Sequence, residues 1–160
     1  SNISATPKSS KVFFIANTTG ATPYARNIYY FDQNAPKAAT KLTNHTISGS
    51  SYFYVYDIIP NATGTKVAYH GGTTSSKASL YVAEVGATPK VHQLTATPTS
   101  TTYISEMKMF TPDDKSIVYG VSTSGSTTKL DLRIQTIGTG TKATILESTA
   151  GYTGVMMTYK

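Results

Sequence analysis

The chain has 160 residues, no cysteine and a formal net charge of +6, with 39% hydrophobic but only 14% charged residues. This length allows one domain with a substantial core, and the lack of cysteine excludes disulfides and thiolate metal sites. No apolar run approaches the roughly 18 residues of a membrane-spanning helix, so we expect no membrane span.

The basic residues are scattered along the chain rather than clustered. Lysines fall at predicted strand ends and turns, and arginine is limited to Arg26 and Arg133. Nucleic-acid binding requires Lys and Arg grouped with aromatic residues on one face, so we expect no nucleic-acid partner. The excess positive charge favours an acidic partner or an anionic envelope surface only weakly.

The strongest signal is an internal repeat with a period of about 52 residues, typical of repeat architectures. Shifting the chain by this period superposes the third unit on the second without a gap. The matched pairs include Lys77 with Lys129, Leu80 with Leu132, Val82 with Ile134 and Leu94 with Leu146. The first unit joins at the same offset, with Ile28 on Leu80 and Leu42 on Leu94.

The first unit follows a polar lead-in over residues 1–10, for which we predict no strand. It spans approximately residues 11–47 and begins at Val12–Ala16, which matches the second strand of the later units. A Gly/Thr-rich loop separates this strand from Ile28–Asp32, and a last strand ends at Leu42. The alternation of apolar and polar residues between turns favours strands throughout.

The second and third units, approximately residues 48–98 and 99–148, each supply four strands. Each opens with an apolar strand that ends before a proline-containing turn. The predicted strands are Tyr52–Ile58, Val67–His70, Leu80–Val85 and one ending at Leu94, then Tyr103–Phe110, Ile117–Val121, Leu132–Ile137 and one ending at Leu146. A further strand is predicted in residues 152–159.

Three segments carry a family resemblance. Phe110–Tyr119 (FTPDDKSIVY) resembles the "(F)SPDGKxIAF" hallmark of TolB-like, or PD40 (WD40-like), β-propeller repeats. Leu80–Gly86 is similar to the family's "(D)IYVMDxDG" strand, and Gln93–Thr95 to its terminal "(R)LT". The resemblance implies an all-β propeller with four-stranded blades in a six-bladed ring. It also implies protein contacts and a bacterial extracytoplasmic setting, in the periplasm or at the cell surface.

Three blades are half of a six-bladed ring. The predicted strand order is permuted, because the first unit begins at the second strand of a blade. The strand in residues 152–159 would complete the blade that begins at Val12. Closed rings typically need four to eight blades, which leaves two hypotheses. Either two copies form a homodimer with one six-bladed ring, each last strand completing the partner's first blade, or the sequence is a fragment of a longer propeller.

Three tyrosines are candidate binding residues because they open the first strand of successive units. These are Tyr52, Tyr103 and Tyr152, and first strands line the channel of a propeller. A ring of tyrosines at the channel mouth would stack on a sugar or grip a peptide; alternatively, the rings wedge between blades. Glu106, further along its strand, would point into the channel or the blade interface.

The histidines and Arg26 are the remaining candidates. His45 and His70 are predicted on one rim of the propeller, and with Arg26 and Glu106 they are the polar groups that would surround a ligand at the channel mouth. We expect no metal site, because no histidine pair has ligand spacing. Asp57 is a weaker candidate for binding a cation in the channel.

No motif predicts catalysis or a cofactor. There is no G-x-S-x-G sequence, and no helix follows Gly138-Thr-Gly-Thr as a phosphate loop requires. We therefore expect a non-catalytic cell-envelope module that binds a protein or peptide through its rim loops and channel mouth. The alternatives are a glycan-binding or polysaccharide-processing propeller, and an accessory propeller domain of a larger enzyme.

Overall fold

The computed structural model describes residues 3–17, 24–46, 52–74, 78–97, 103–122, 129–140 and 143–150. Within these ranges the chain folds into twelve strands and three antiparallel four-stranded sheets. The same ranges contain no helix of the length and apolarity needed to cross a membrane.

The first sheet contains its own first strand, which corrects the predicted phase. Its strands lie in chain order: β1 (Ile3–Ala5), β2 (Lys11–Asn17), β3 (Arg26–Asp32) and β4 (Ala35–Lys41). β1 pairs with β2, with Ile3 opposite Phe14 and Ala5 opposite Val12. The predicted strandless lead-in over residues 1–10, and the start at a second strand, are therefore wrong. Residues 152–159, predicted to fill this place, lie outside the described residues.

The other two sheets repeat this arrangement. The second contains β5 (Tyr54–Pro60), β6 (Lys66–Gly72), β7 (Ala78–Glu84) and β8 (Lys90–Gln93). The third contains β9 (Tyr103–Phe110), β10 (Ser116–Ser122), β11 (Lys129–Thr136) and β12 (Thr144–Ala150). Each of these two sheets is a meander in which every strand pairs with its neighbours in the chain, as predicted from the repeat.

The sheets stack through two apolar layers, one on each face of the second sheet. Between the first and second sheets lie Phe13, Ile28, Leu42, Val55, Ile58, Val67 and Tyr69. Between the second and third lie Ala68, Leu80, Val82, Leu94, Phe110, Ile117, Tyr119 and Val121. Burying each large apolar side chain contributes about 1.5–3 kcal/mol. Because the second sheet is covered on both faces, residues of both parities are apolar in its central strands.

The turn between the first two strands is built alike in all three sheets. Its first residue is Thr6, Asn61 or Thr111, and each closes the turn with its side chain. The Thr6 hydroxyl donates to the carbonyl of Ser9, and the Asn61 side-chain oxygen accepts the amides of Thr65 and Lys66. The Thr111 hydroxyl oxygen accepts the amide of Ser116. A short polar side chain at this position therefore fixes the hairpin.

Candidate binding site on the first strand of the second sheet

Four tyrosines form a continuous aromatic surface along β5. Tyr52, Tyr54 and Tyr56 alternate along an extended segment and so share one side of it, with successive ring centroids 5.8 Å apart. Tyr24 meets Tyr52 edge-on at 4.9 Å and Tyr54 at 6.2 Å. All four side chains remain partly exposed. We call Tyr24, Tyr52, Tyr54 and Tyr56 the tyrosine row.

The first sheet supplies Tyr24 and a cation to this row. Ala25 forms a parallel bridge with Phe53, and the Arg26 amide donates to the Phe53 carbonyl at 2.8 Å. These contacts fix the segment before β3 against the start of β5. The Arg26 guanidinium carbon then lies 5.4 Å from the centre of the Tyr54 ring, a cation–π contact that contributes about 0.5–1 kcal/mol at a partly exposed site.

Tyr56, at one end of the row, has a hydroxyl whose pKa is raised above its usual value. Burial raises the pKa of the Tyr56 hydroxyl, and the neighbouring Tyr54 raises it further, while the charge of Arg26 partly opposes both. The hydroxyl of Tyr56 therefore keeps its proton and is available as a hydrogen-bond donor. The surface thus combines aromatic rings, phenolic donors and one permanent positive charge.

A buried ion pair lies at the end of the row. A bulge in the pairing of β5 with β6 falls between Tyr56 and Ile59, and within it Asp57 adopts a positive φ of 53°. Aspartate tolerates this conformation better than most residues. The Lys108 ammonium, from β9 of the third sheet, donates to the Asp57 carboxylate at 2.7 Å. The Lys108 side chain is fully buried, while that of Asp57 is 25% exposed.

His70 lies beside this ion pair, directly opposite Tyr56 in the β5–β6 register. Burial, together with the charge of Lys108, lowers the pKa of His70 to about 3, although Asp57 partly opposes the shift. Its Nε2 atom is buried and has no hydrogen-bond partner among the described residues. Burial alone would raise the pKa of the Asp57 carboxyl, but the hydrogen bond and charge of Lys108 contribute to a net lowering. His70 is therefore neutral beside an ionised pair.

His45 lies on the opposite face of the second sheet, in an aromatic cage. Its ring stacks on Phe53 at 4.1 Å and meets Tyr69 and Tyr81 edge-on, each at 5.6 Å. His45 Nε2 is 2.7 Å from the Tyr69 hydroxyl, and its backbone amide donates to the Asn27 side chain at 2.7 Å. Burial and the charge of Lys41 lower the pKa of His45 to about 4. These contacts hold a neutral ring between two sheets.

The structure brings together only part of the predicted site. Tyr52 belongs to the tyrosine row and Arg26 contacts the Tyr54 ring of that row. His45 and His70 lie on opposite faces of the second sheet. Tyr103 begins β9 and Glu106 lies within it, but their side chains are not described, and Tyr152 lies outside the described residues. Asp57, a predicted cation ligand, instead pairs with Lys108.

Four residues of this region were not predicted from the sequence: Tyr24, Tyr54, Tyr56 and Lys108. The signal for two of them was present, because Tyr52, Tyr54 and Tyr56 occupy alternate positions of a predicted strand. In the described ranges, no three His, Asp or Glu residues group together as metal ligands would.

Comparisons with known proteins identify the architecture. No family model matches the chain, and no curated protein is significantly similar to it. Among solved structures, a prolyl endopeptidase matches with a TM-score of 0.64 and 16% identity, over 92% of this chain and 22% of the enzyme. TolB from Acinetobacter baumannii matches with a TM-score of 0.52 and 21% identity, over 92% of this chain and 32% of TolB.

Both neighbours contain β-propellers, and the chain spans less than a third of the length of each. At these identities the likeness establishes the fold alone. Together with the three four-stranded meanders, it confirms the predicted architecture. The chain therefore has a β-propeller fold and comprises three consecutive blades.

Proposed function

We propose that this chain is a non-catalytic binding module of the bacterial cell envelope, and that it binds an extended protein segment along the tyrosine row. The observation that carries the proposal is the row itself, in which four partly exposed tyrosine rings lie side by side and Arg26 contacts the Tyr54 ring. Tyrosine and arginine are the residue types most enriched at the energetic centres of protein interfaces.

The spacing of the rings favours a peptide. Tyr52, Tyr54 and Tyr56 repeat every second residue, and their ring centroids are 5.8 Å apart. An extended ligand also repeats every second residue, at about 6.4–6.8 Å. Its alternate side chains therefore come nearly into step with successive rings. Arg26 adds a bidentate donor for a carboxylate, so the preferred segment alternates apolar or aromatic residues and includes an acidic one.

The titratable groups beside the row favour binding over catalysis. Lys108 is fully buried in its ion pair with Asp57, and His70 is 5% exposed. Neither the Lys108 ammonium nor the His70 ring is therefore offered to a ligand as a general acid, base or nucleophile would need to be. The envelope setting is supported by the resemblance to PD40 repeats and by the fold shared with TolB.

Two alternatives use the same surface. Polysaccharide binding is supported by the partly exposed tyrosine rings, since sugars stack on aromatic faces. A role as an accessory domain of a larger enzyme is supported by the match to part of a prolyl endopeptidase.

The test begins with a phage-displayed library of random 12-residue peptides selected on the folded chain. Enriched peptides are synthesised, and their Kd values are measured by calorimetry for the parent chain and for Tyr54→Ala and Arg26→Ala. We expect each substitution to weaken binding about tenfold or more, as truncation of an interface centre does. Val91→Ala and Lys90→Ala are the matched controls, because both residues are exposed on β8, and should leave Kd unchanged.

Circular dichroism establishes that each variant is folded. Selected peptides whose affinity is unaffected by Tyr54→Ala and Arg26→Ala would overturn the assignment to the row. A parallel screen of oligosaccharides distinguishes the alternative: glycan binding that depends on Tyr54, with no enriched peptide, replaces peptide binding with sugar binding. Ligand binding and the assembly of the chain with further blades are tested by separate experiments.

A further inference from the structure

The two outer faces of the three-blade stack carry residues equivalent to those on faces that are buried between its sheets. On the first sheet, Val12, Phe14, Tyr29 and Phe31 point away from the second sheet; we call these residues the leading face. The corresponding residues of the second sheet are Val67, Tyr69, Tyr81 and Ala83, as the strand registers show, and they pack against the first sheet.

The correspondence extends to side-chain geometry. Phe14 and Tyr29 stack with their ring centroids 5.8 Å apart and an interplanar angle of 19°. Tyr69 and Tyr81, at the buried interface, stack at 5.3 Å and 14°. The leading face therefore presents the same aromatic pair that the second sheet presents to the first. Phe14 and Phe31 remain partly exposed, whereas their counterparts Tyr69 and Ala83 are fully buried. Tyr29 and its counterpart Tyr81 are both partly exposed.

The third sheet has the complementary face. Val118, Leu132 and Ile134 point away from the second sheet, with Val118 opposite Ile134; we call these residues the trailing face. Their counterparts in the second sheet are Ala68, Leu80 and Val82, with Ala68 opposite Val82. Those three are 0% exposed under the third sheet, while all members of the trailing face are partly exposed.

Neighbouring blades also meet through their first hairpin turns. The fourth residue of each turn is Ser9, Gly64 or Asp114. The Asp114 carboxylate accepts a hydrogen bond of 2.8 Å from the side-chain nitrogen of Asn61, the first residue of the preceding turn. A Cβ on Gly64 would lie 2.6 Å from the hydroxyl oxygen of Ser9 and 3.4 Å from that of Thr6, so Gly64 lies against both ends of the first turn. Each fourth residue thus lies near the first residue of the blade before it.

We propose that the leading face of one copy packs on the trailing face of a second copy, and that the same contact, formed twice about a two-fold axis, closes one six-bladed ring. The occupant is a second copy because the chain carries both halves of a contact that it already makes twice internally. A head-to-tail contact of this kind closes into a ring when its rotation allows. The contact between the first hairpin turns of neighbouring blades is then repeated between the copies, and it places Ser9 of one copy beside Thr111 of the other.

Because the chain has no cysteine, this contact can be tested by introduced thiols. Two single variants, Ser9→Cys and Thr111→Cys, are mixed, unfolded, refolded together and treated with a short bis-maleimide. We expect a cross-linked species of twice the 17.1 kDa chain mass in the mixture, and none in either variant alone. As a control, Asn61→Cys/Asp114→Cys in one chain should cross-link internally, because these residues form the equivalent contact.

Light scattering of the parent chain measures the assembly without any substitution. A mass of two chains is expected. Phe14→Lys or Leu132→Lys should reduce it to one chain, because a charge would be buried at the contact, while Val91→Lys on exposed β8 should not. A parent chain that is monomeric, an assembly larger than two chains, or cross-linking within a single-variant sample would each overturn the proposal.

Discussion

Acidification from pH 7 to pH 5 should destabilise the fold through the buried His70 and the partly buried His45. His70 and His45 have folded-state pKa values of about 3 and about 4, against a usual value of 6.5. Both therefore bind a proton less readily in the folded than in the unfolded chain. The contribution of these lowered pKa values to the free energy of unfolding is fully present above pH 6.5. It is lost as the pH falls below 6.5, until the folded-state pKa is reached.

The size of the effect follows from the shifts. At pH 5 an unfolded histidine is almost fully protonated, whereas His70 in the folded chain is not. The solution pH lies about 1.5 units below the usual histidine pKa. For His70 this difference lowers the free energy of unfolding by about 2 kcal/mol. His45 is less deeply buried, so solvent screens its charge and we expect about 1 kcal/mol. The total is a large part of the 5–15 kcal/mol that stabilises a typical domain.

Urea unfolding at pH 7 and pH 5, at one protein concentration, measures this loss. The chosen range excludes the titration of Asp57, since the pKa of Asp57 lies below its usual value of 3.8. His70→Gln should remove about two thirds of the loss, and His45→Gln the remainder. Val82→Ala is the matched control: it lowers stability by opening the same apolar layer, but it should keep the parental difference between the two pH values. A His70→Gln variant with the full parental loss would refute the assignment.

Two further substitutions test the packing around the site. Asp57→Asn should cost about 3–5 kcal/mol, because it removes the carboxylate charge that pairs with the buried Lys108 ammonium. The double variant Asp57→Asn/Lys108→Met should recover much of that cost in a double-mutant cycle, and strictly additive costs would contradict a direct pairing. Gly71→Ala should cost about 1–3 kcal/mol, since its Cβ would lie 2.9 Å from Phe53 Cζ. Gly86→Ala, in an exposed turn with no atom closer than 3.9 Å, should change the unfolding free energy by less than about 0.5 kcal/mol.

The blade architecture was predictable because the second and third units show the same residue pattern. Residues of both parities are apolar in β6 and β7, and the third unit repeats that pattern at a constant offset. β1 was missed because Ile3–Ala5 is too short to show alternation, and because polar residues follow it. Its signal was the turn after it: Thr6-Pro7 stands where Thr111-Pro112 stands in the third unit, so the strand before the turn was implied by the repeat.

The site was less predictable because its members come from three sheets. Alternation along one strand indicates that Tyr52, Tyr54 and Tyr56 share a side, but it does not place Tyr24, which reaches the row through the Ala25–Phe53 bridge. Asp57 and Lys108 are 51 residues apart, close to one repeat. Residues separated by one repeat lie in neighbouring blades, so a carboxylate and a lysine at this spacing were candidates for an ion pair between blades.

The repeated backbone and the variable side chains have different roles in this molecule. At one position of the second strand the three sheets place Ile15, His70 and Gly120, and on the first strand Ile58 of the second sheet corresponds to Lys108 of the third. The blades therefore share strand geometry but not interface chemistry: the first interface is aromatic and apolar, and the second contains the ion pair. β5 lies between the two and receives Arg26 and Tyr24 from one neighbour and Lys108 from the other. The tyrosine row is therefore a product of blade assembly, and its geometry depends on both interfaces.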